Sequence, residues 1–164
     1  MRRATVPGAA HTFETASGDE THALGRRLGA LLQAGDVVLL EGGLGAGKTT
    51  FAHGIGDALG VTSPVTSPTF TLIHEYATAG PPLFHVDPYR LASEDDLEGI
   101  GFEDYLEREG VLVVEWAERL GALTPDDAVV VTLAVRPDGG RTVTVASTGP
   151  RSEHRLAALT APVR

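Results

Sequence analysis

Cysteine is absent from the 164-residue chain, and this absence excludes several classes of site at once. A disulfide framework, thiolate catalysis, zinc fingers and iron–sulfur clusters all require cysteine. Long apolar runs are also missing, since none approaches the roughly 20 residues that span a bilayer. Residues 1–3, Met-Arg-Arg, lead into a Pro/Gly stretch rather than the apolar core of a signal peptide. We therefore expect a cytosolic protein that does not bind membranes.

Positive charge is scarce: 13 Lys and Arg residues oppose 22 Asp and Glu residues, and the formal net charge is −9 at pH 7. Such an acidic surface repels phosphate backbones, so we expect no direct DNA binding and no unaided RNA binding. Hydrophobic residues make up 42% of the chain, enough for one domain with a buried core. We expect a single domain over residues 1–164, with residues 1–10 and about 160–164 frayed.

The spacing of apolar and turn residues predicts strands that alternate with helices in the first two-thirds of the chain. Strands are predicted at 11–16 (an edge strand), 37–40, 70–77, 83–87 and 111–115. Helices are predicted from 19 to about 33 with Gly35 at the C′ position, at 48–59, from Ser93 onward, and at 151–159. Two β-rich runs, 129–135 and 142–146, predict a terminal hairpin. This order favours an α/β sheet that is parallel at its centre, with antiparallel additions.

One segment carries a phosphate-binding motif. Residues 42–49 read GGLGAGKT and satisfy G-x-x-x-x-G-K-[ST] between an apolar strand and a helix. Glycines let consecutive backbone N–H groups turn toward phosphate oxygens, and the helix that begins near Lys48 adds its positive dipole end. Lys48 would reach the β- and γ-phosphates, and the Thr49 hydroxyl is placed to ligate magnesium. The residues expected to hold the nucleotide are Gly42, Leu44, Gly45, Ala46, Gly47, Lys48, Thr49 and Thr50.

The alternative is a Gly-rich turn between a strand and a helix, with an incidental lysine. Shuffled sequences of this composition would contain the motif only on the order of a few times per thousand. Lys48 is also the only lysine in the chain, and it falls where phosphate binding requires one. Nucleotide binding is therefore the favoured interpretation.

A P-loop site also needs an acid near the magnesium ion, usually at the end of a neighbouring strand. Asp87 follows the apolar run 83–86, and Glu115 follows the run 111–114. Because the carboxyl ends of parallel strands share one crevice, either carboxylate could face the γ-phosphate. For each of them taken alone, a solvated acid at a strand end is the alternative.

Four nearby features have both a functional and a plain structural interpretation. His85 is better explained as a packed or hydrogen-bonded histidine than as a metal ligand, because no Cys/His cluster accompanies it. Arg90 either neutralises phosphate charge or pairs with the acids at 94–96. Trp116 is more typical of a core anchor than of a ligand contact, although its neighbour Glu115 places it close to the site. The segment 67–70 is either a loop that senses the γ-phosphate or a proline turn.

Five segments, in this order, resemble the TsaE family, the P-loop ATPase subunit of the bacterial machinery that makes threonylcarbamoyladenosine at position 37 of tRNA. The segments are GGLGAGKTTF (42–51), SPTF (67–70), HVDPYRL (85–91), LEGIGFEDY (97–105) and VEW (114–116). The resemblance covers roughly residues 11–146 and implies a three-layer α/β fold of the P-loop NTPase type. It also implies a subunit that uses ATP and Mg²⁺ and acts with TsaB and TsaD, resetting their complex between turnovers. The tRNA would be held by those partners.

The resemblance further implies roles for individual residues. Thr49 and Glu115 correspond to magnesium ligands, and Asp87 corresponds to the acid that hydrolysis requires. Lys48 joins Asp87 as a catalytic residue through its contact with the phosphates. The positions of a switch-like loop fall on Ser67, Pro68 and Thr69, and nucleoside contacts are implied near Gly18 and Gly139.

Three function classes remain open. The first is a slow ATPase regulated by partners, and the second is a small-molecule or nucleoside kinase in which Asp87 activates an acceptor hydroxyl. The third is a nucleotide-sensing module that does not hydrolyse. The kinase is disfavoured because no Arg-rich lid segment follows the third strand.

The acidic segment 94–109 is either a docking surface for a basic partner or a solvated face.

Overall fold

The computed structural model describes residues 9–64, 73–87 and 101–162. The strands in these ranges are β1 (Ala9–Thr15), β2 (Val37–Gly42), β3 (Ser63–Pro64), β4 (Ile73–Ala77), β5 (Leu83–Val86), β6 (Val111–Glu115), β7 (Val129–Val135) and β8 (Arg141–Ser147). The helices in these ranges are α1 (Gly18–Gly29), α2 (Lys48–Leu59), α3 (Phe102–Glu107) and α4 (Pro150–Thr160). Short 3₁₀ turns lie at Ala117–Arg119 and Gly121–Leu123.

The described strands form one sheet in the order β1-β8-β7-β2-β6-β5-β4-β3. Its four central strands, β7, β2, β6 and β5, run parallel to their neighbours within this group. The β7–β8 hairpin, β1, β4 and β3 pair in antiparallel fashion outside them. The predicted sheet, with a parallel core, antiparallel additions and a C-terminal hairpin, is therefore confirmed.

Helices cover both faces of this sheet. On one face, Leu28 of α1 and Ile55 of α2 share a buried cluster with Leu40 of β2. On the other face, Phe102 of α3 packs in a second cluster with Leu39. Adjacent residues of β2 thus point to opposite apolar layers, which explains why this strand is a continuous apolar run. The result is the predicted three-layer arrangement.

The first helix is shorter than the leucine spacing predicts. α1 ends at Gly29, and the next residues close tight turns in which the Leu31 N–H donates to the Leu28 carbonyl and the Leu32 N–H to the Gly29 carbonyl. Leu32 still packs in the core although it lies after the end of α1. The apolar spacing used to predict the helix therefore extends beyond it. Gly35 is consequently not the C′ residue; it has φ +93° in the turn before β2.

Two other boundaries differ from the sequence prediction. β1 begins at Ala9, so residues 9 and 10, for which fraying was expected, pair with Ser147 and Ala146 of β8. β1 is the edge strand that was predicted. Within the predicted strand 70–77, residues 73–77 form β4, and 70–72 lie outside the described residues.

The segment around α3 was only partly anticipated. The start of the helix predicted from Ser93 lies outside the described residues. α3 places Phe102 in the core and leaves Glu103, Asp104 and Glu107 exposed. In the described part of the chain, no helix is both long enough and apolar enough to span a membrane.

Candidate nucleotide-binding site

The carboxyl ends of three neighbouring parallel strands meet at one edge of the sheet. β2 leads into the P-loop (residues 42–49), Asp87 directly follows β5, and Glu115 is the last residue of β6. Because β6 pairs with both β2 and β5, these ends are adjacent. A cavity of about 340 Å³ lies there. Its lining residues are Leu44, Gly45, Gly47, Lys48, Thr49, Thr50, Asp87, Glu115 and Trp116.

Two P-loop residues of the predicted nucleotide set do not line this cavity. Gly42 is the last residue of β2, and the Ala46 side chain is buried in the hydrophobic core. At Gly42, a Cβ would lie 2.6 Å from the Leu133 carbonyl oxygen, so only glycine fits beside β7. Both residues therefore help to set the conformation of the P-loop through packing.

The P-loop passes directly into a helix at the cavity. Gly47 has φ +108°, a left-handed conformation that glycine adopts without the strain of a Cβ. α2 begins at the next residue, and its first three residues, Lys48, Thr49 and Thr50, all line the cavity. The positive dipole end of α2 therefore lies where a bound anion would be stabilised.

The Lys48 side chain is buried and lines the cavity. Its ammonium donates hydrogen bonds to the Gly42 and Gly43 carbonyl oxygens, at 2.7 and 2.8 Å. It also lies 3.7 Å from the centre of the Trp116 ring, a cation–π contact. Burial lowers the pKa of Lys48, while the carboxylates of Glu118, Glu115 and Asp87 oppose that shift.

Glu115 is held by two side chains from different elements. Its Oε1 accepts a hydrogen bond of 2.9 Å from the Thr49 hydroxyl, and its Oε2 lies 2.6 Å from His85 Nε2. Burial alone would raise the pKa of Glu115. The hydrogen bond and charge of His85, the Thr49 hydroxyl and the Lys48 ammonium outweigh burial and hold the pKa below its ordinary value. His85 is thus the hydrogen-bonded histidine that was predicted.

The paired oxygens of Thr49 and Glu115 fit a magnesium ion. Both are the hard oxygen donors that Mg²⁺ prefers, and adjacent ligands around an octahedral Mg²⁺ lie about 3 Å apart. The hydroxyl and carboxylate oxygens are 2.9 Å apart. Among the described residues, no group of three or more His, Asp or Glu side chains could enclose a metal.

Trp116 contributes to the cavity rather than to the core. It is only partly buried, and φ is +54°, which makes it the one non-glycine residue with positive φ in the described ranges. This left-handed residue follows Glu115 directly and brings its ring over Lys48. The expectation of a core anchor is therefore wrong: the backbone turns sharply after β6, and the ring lines the cavity.

The segments implied for the nucleoside lie at the start of α1 and in the β7–β8 turn. Gly18 is the first residue of α1, and Gly139 has φ +88° in the β7–β8 turn. Neither lines the cavity, but their neighbours approach the loop: a Cβ at Gly47 would lie 3.5 Å from Thr21 Cγ2 and 4.0 Å from Arg141 Nε.

Arg141 is the residue that the sequence reasoning missed. It donates hydrogen bonds to the Gly45 and Ala46 carbonyl oxygens of the P-loop. The sequence did offer a signal: Arg141 lies two residues before the apolar Val143. Alternate residues of a strand share one face of the sheet, so Arg141 could have been placed on the same face as Val143. Ser67, Pro68 and Thr69 of the expected switch loop, and Arg90, lie outside the described residues.

Comparison with known proteins places the fold and the motif in one family. Residues 15–143 match the family described as "Threonylcarbamoyl adenosine biosynthesis protein TsaE". A Bacillus subtilis protein named tRNA threonylcarbamoyladenosine biosynthesis protein TsaE is 40% identical over 141 residues, which are 86% of this chain and 88% of that protein. The Treponema pallidum protein of the same name is 43% identical over 130 residues, covering 79% and 96%.

A solved structure extends the similarity to three dimensions. The crystal structure of Bacillus subtilis YdiB matches this fold with a TM-score of 0.78 at 33% identity. The match covers 93% of this chain and 95% of that one. Sequence, motif and fold agree, and the chain therefore belongs to the TsaE family of threonylcarbamoyladenosine biosynthesis proteins.

Proposed function

We propose that this chain is a magnesium-dependent ATPase subunit that acts in the threonylcarbamoyladenosine modification of tRNA at position 37. One observation carries the proposal: four groups suited to phosphate chemistry line a single cavity although they come from three parts of the chain. These groups are the Lys48 ammonium, the Thr49 hydroxyl and the carboxylates of Asp87 and Glu115. Family membership supports the pathway, and the chemistry of these side chains supports the reaction.

Lys48 and the start of α2 would bind the phosphates. The ammonium now donates to two neutral carbonyl oxygens, those of Gly42 and Gly43. Phosphate oxygens are charged and accept stronger hydrogen bonds, so a triphosphate would compete well for this donor. The α2 dipole favours the same position for the anion.

Thr49 and Glu115 would hold Mg²⁺, which when bound neutralises the charge on the phosphate oxygens. The negative charge near the cavity supports a need for this divalent cation. The carboxylates of Glu118, Glu115 and Asp87 all act on the single ammonium of Lys48. A triphosphate entering beside these carboxylates needs a divalent cation to offset the repulsion.

Asp87 would orient the attacking water and accept its proton. Glu115 is assigned above to the magnesium ion, together with Thr49. Asp87 is the other carboxylate in the cavity lining, and it follows β5 at the edge where the γ-phosphate is expected. A carboxylate in that position can align or deprotonate water in line with the scissile bond.

Partners of the TsaB and TsaD type would regulate the reaction. The transition state of phosphoryl transfer needs positive charge, and among the described residues that line the cavity Lys48 is the only cation. Such charge is supplied in trans in several P-loop enzymes, which makes slow basal turnover the expectation. The net charge of −9 also favours contact with tRNA through the partners rather than directly.

Phosphate release from ATP and Mg²⁺, with and without the matching TsaB and TsaD proteins, tests this function. We expect little release from the chain alone and a clear increase when both partners are present. Loss of the γ-phosphate only after a metabolite is added would instead indicate a kinase. Tight ATP binding without release under any of these conditions would indicate a nucleotide-sensing module.

A further inference from the structure

Arg141 lies beside the P-loop although about 95 residues separate the two in sequence. It is the first residue of β8, two and four residues before Val143 and Val145. Both valines belong to the buried cluster shared with α1 and α2. Because side chains alternate along a strand, Arg141 is on this same face, where the P-loop passes into α2.

The Arg141 guanidinium bridges two separate turns of the chain. On the P-loop side, Nε donates to the Ala46 carbonyl at 2.9 Å and Nη2 donates to the Gly45 carbonyl at 3.1 Å. On the hairpin side, Nη1 donates to the carbonyls of Gly139 and Gly140, at 2.7 and 3.1 Å. One planar cation therefore ties the β7–β8 turn to the phosphate-binding loop.

This bridge fixes the orientation of peptide units in the P-loop. In a trans peptide, the C=O and the N–H of the next residue point in opposite directions. Holding the Ala46 carbonyl against Arg141 therefore directs the Gly47 N–H away from the arginine, and Gly47 lines the cavity. A loop that already holds its amides in place loses less conformational freedom when it binds a phosphate.

We propose that Arg141 is a positioning residue that pre-organises the P-loop for the triphosphate and couples the loop to the β7–β8 turn. This proposal rests on the nucleotide binding proposed above. It assigns to Arg141 an effect on affinity, because the arginine acts on the loop and does not line the cavity. Lysine cannot replace it, since an ammonium lacks the planar fork that holds two consecutive carbonyls and a second turn at once.

Three variants of the full chain test the proposal. Arg141→Met removes the bridge, Arg141→Lys keeps the charge without the fork, and Arg136→Met is the matched control. Arg136 lies at the other end of the same turn and pairs with Glu14 and Asp138, not with the P-loop. The measurements are ATP affinity by calorimetry, the kcat and KM of partner-stimulated hydrolysis, and amide hydrogen exchange of residues 43–49.

We expect Arg141→Met to weaken ATP binding about tenfold, which corresponds to roughly 1.4 kcal/mol, and to raise KM with little change in kcat. Exchange should accelerate in residues 43–49 and remain unchanged in β6. Arg141→Lys should recover only a minor part of the affinity. Arg136→Met should bind ATP like the wild type.

Several results would overturn the proposal. These are wild-type affinity and exchange in Arg141→Met, full rescue by Arg141→Lys, or an equal loss in Arg136→Met. If Arg141→Met does not fold, the affinity and exchange of Arg141→Lys decide the question. If the wild type binds no ATP, the proposed function fails, while faster exchange of residues 43–49 in the variants would still establish that Arg141 braces the loop.

Discussion

The Thr49 hydroxyl donates a 2.9 Å hydrogen bond to Glu115 Oε1, which joins the first turn of α2 to the end of β6. The two residues are 66 positions apart in the chain. Their oxygens are already adjacent, so both could ligate one magnesium ion without a large movement of either element.

Replacing Thr49 with valine removes the hydroxyl while keeping a β-branched side chain of similar size. We expect Thr49→Val to raise the Mg²⁺ concentration for half-maximal hydrolysis about tenfold, because one protein ligand is lost. Titration of phosphate release with MgCl₂ measures this, and excess EDTA should stop release in the wild type. Thr49→Ser, which keeps the hydroxyl, should behave nearly as the wild type. An unchanged Mg²⁺ requirement in Thr49→Val would remove Thr49 from the metal site.

Lys48 is expected to dominate nucleotide affinity. Lys48→Ala should weaken ATP binding about 100-fold or more, since charge-assisted hydrogen bonds to the phosphates are lost. Calorimetry measures the affinity, and the fluorescence of Trp116 offers a second readout because its ring lies 3.7 Å from the Lys48 ammonium. Arg26→Ala, at an exposed position of α1, is the control for removing one positive charge. Retained affinity in Lys48→Ala would exclude binding at this P-loop.

Replacing Asp87 should separate ATP binding from ATP hydrolysis. We expect Asp87→Asn to bind ATP with nearly normal affinity but to lower partner-stimulated turnover about 100-fold or more, because the amide cannot accept a proton from water. Calorimetry and single-turnover phosphate release on the same preparation measure the two properties. Full turnover in Asp87→Asn would refute the role proposed for this carboxylate.

Asp36 anchors the C-terminal helix to the turn before β2. It is buried, and its carboxylate pairs with Arg151 and Arg155 of α4 and accepts a hydrogen bond from the Gln33 N–H. Burial alone would raise the pKa of Asp36, but these partners outweigh it and hold the pKa below its ordinary value. Breaking such a buried pair costs on the order of 3 kcal/mol, the loss expected for Asp36→Asn at pH 7.

The pH dependence of this loss has a definite sign. A carboxyl whose pKa is lower in the folded than in the unfolded state stabilises the fold above the unfolded value, about 4. That stabilisation is lost as the pH falls through the folded-state pKa, so the wild type should approach Asp36→Asn in acid. Urea unfolding at several pH values measures both curves. Asp57→Asn, which removes an exposed partner of His22, should change the free energy of unfolding by less than about 1 kcal/mol. A constant gap between wild type and Asp36→Asn down to acid pH would contradict the assignment.

The amino-acid sequence by itself determined the local features of this protein. The spacing of residues 42–49 identified the P-loop, because the glycines, the lysine and the threonine act through the conformation of one short segment. The apolar runs 37–40 and 111–114 identified buried strands, since a strand buried on both faces needs apolar residues along its length.

Only the tertiary structure decided which distant groups act together. The strand order brings Glu115 to Thr49 and Asp87 to the same cavity, and the register of β8 aims Arg141 at the loop. The left-handed conformation of Trp116 likewise could not be predicted from the sequence, since nothing in its neighbouring residues requires positive φ. Local patterns reflect short-range backbone preferences, whereas these contacts depend on how the sheet pairs and on which face each residue occupies.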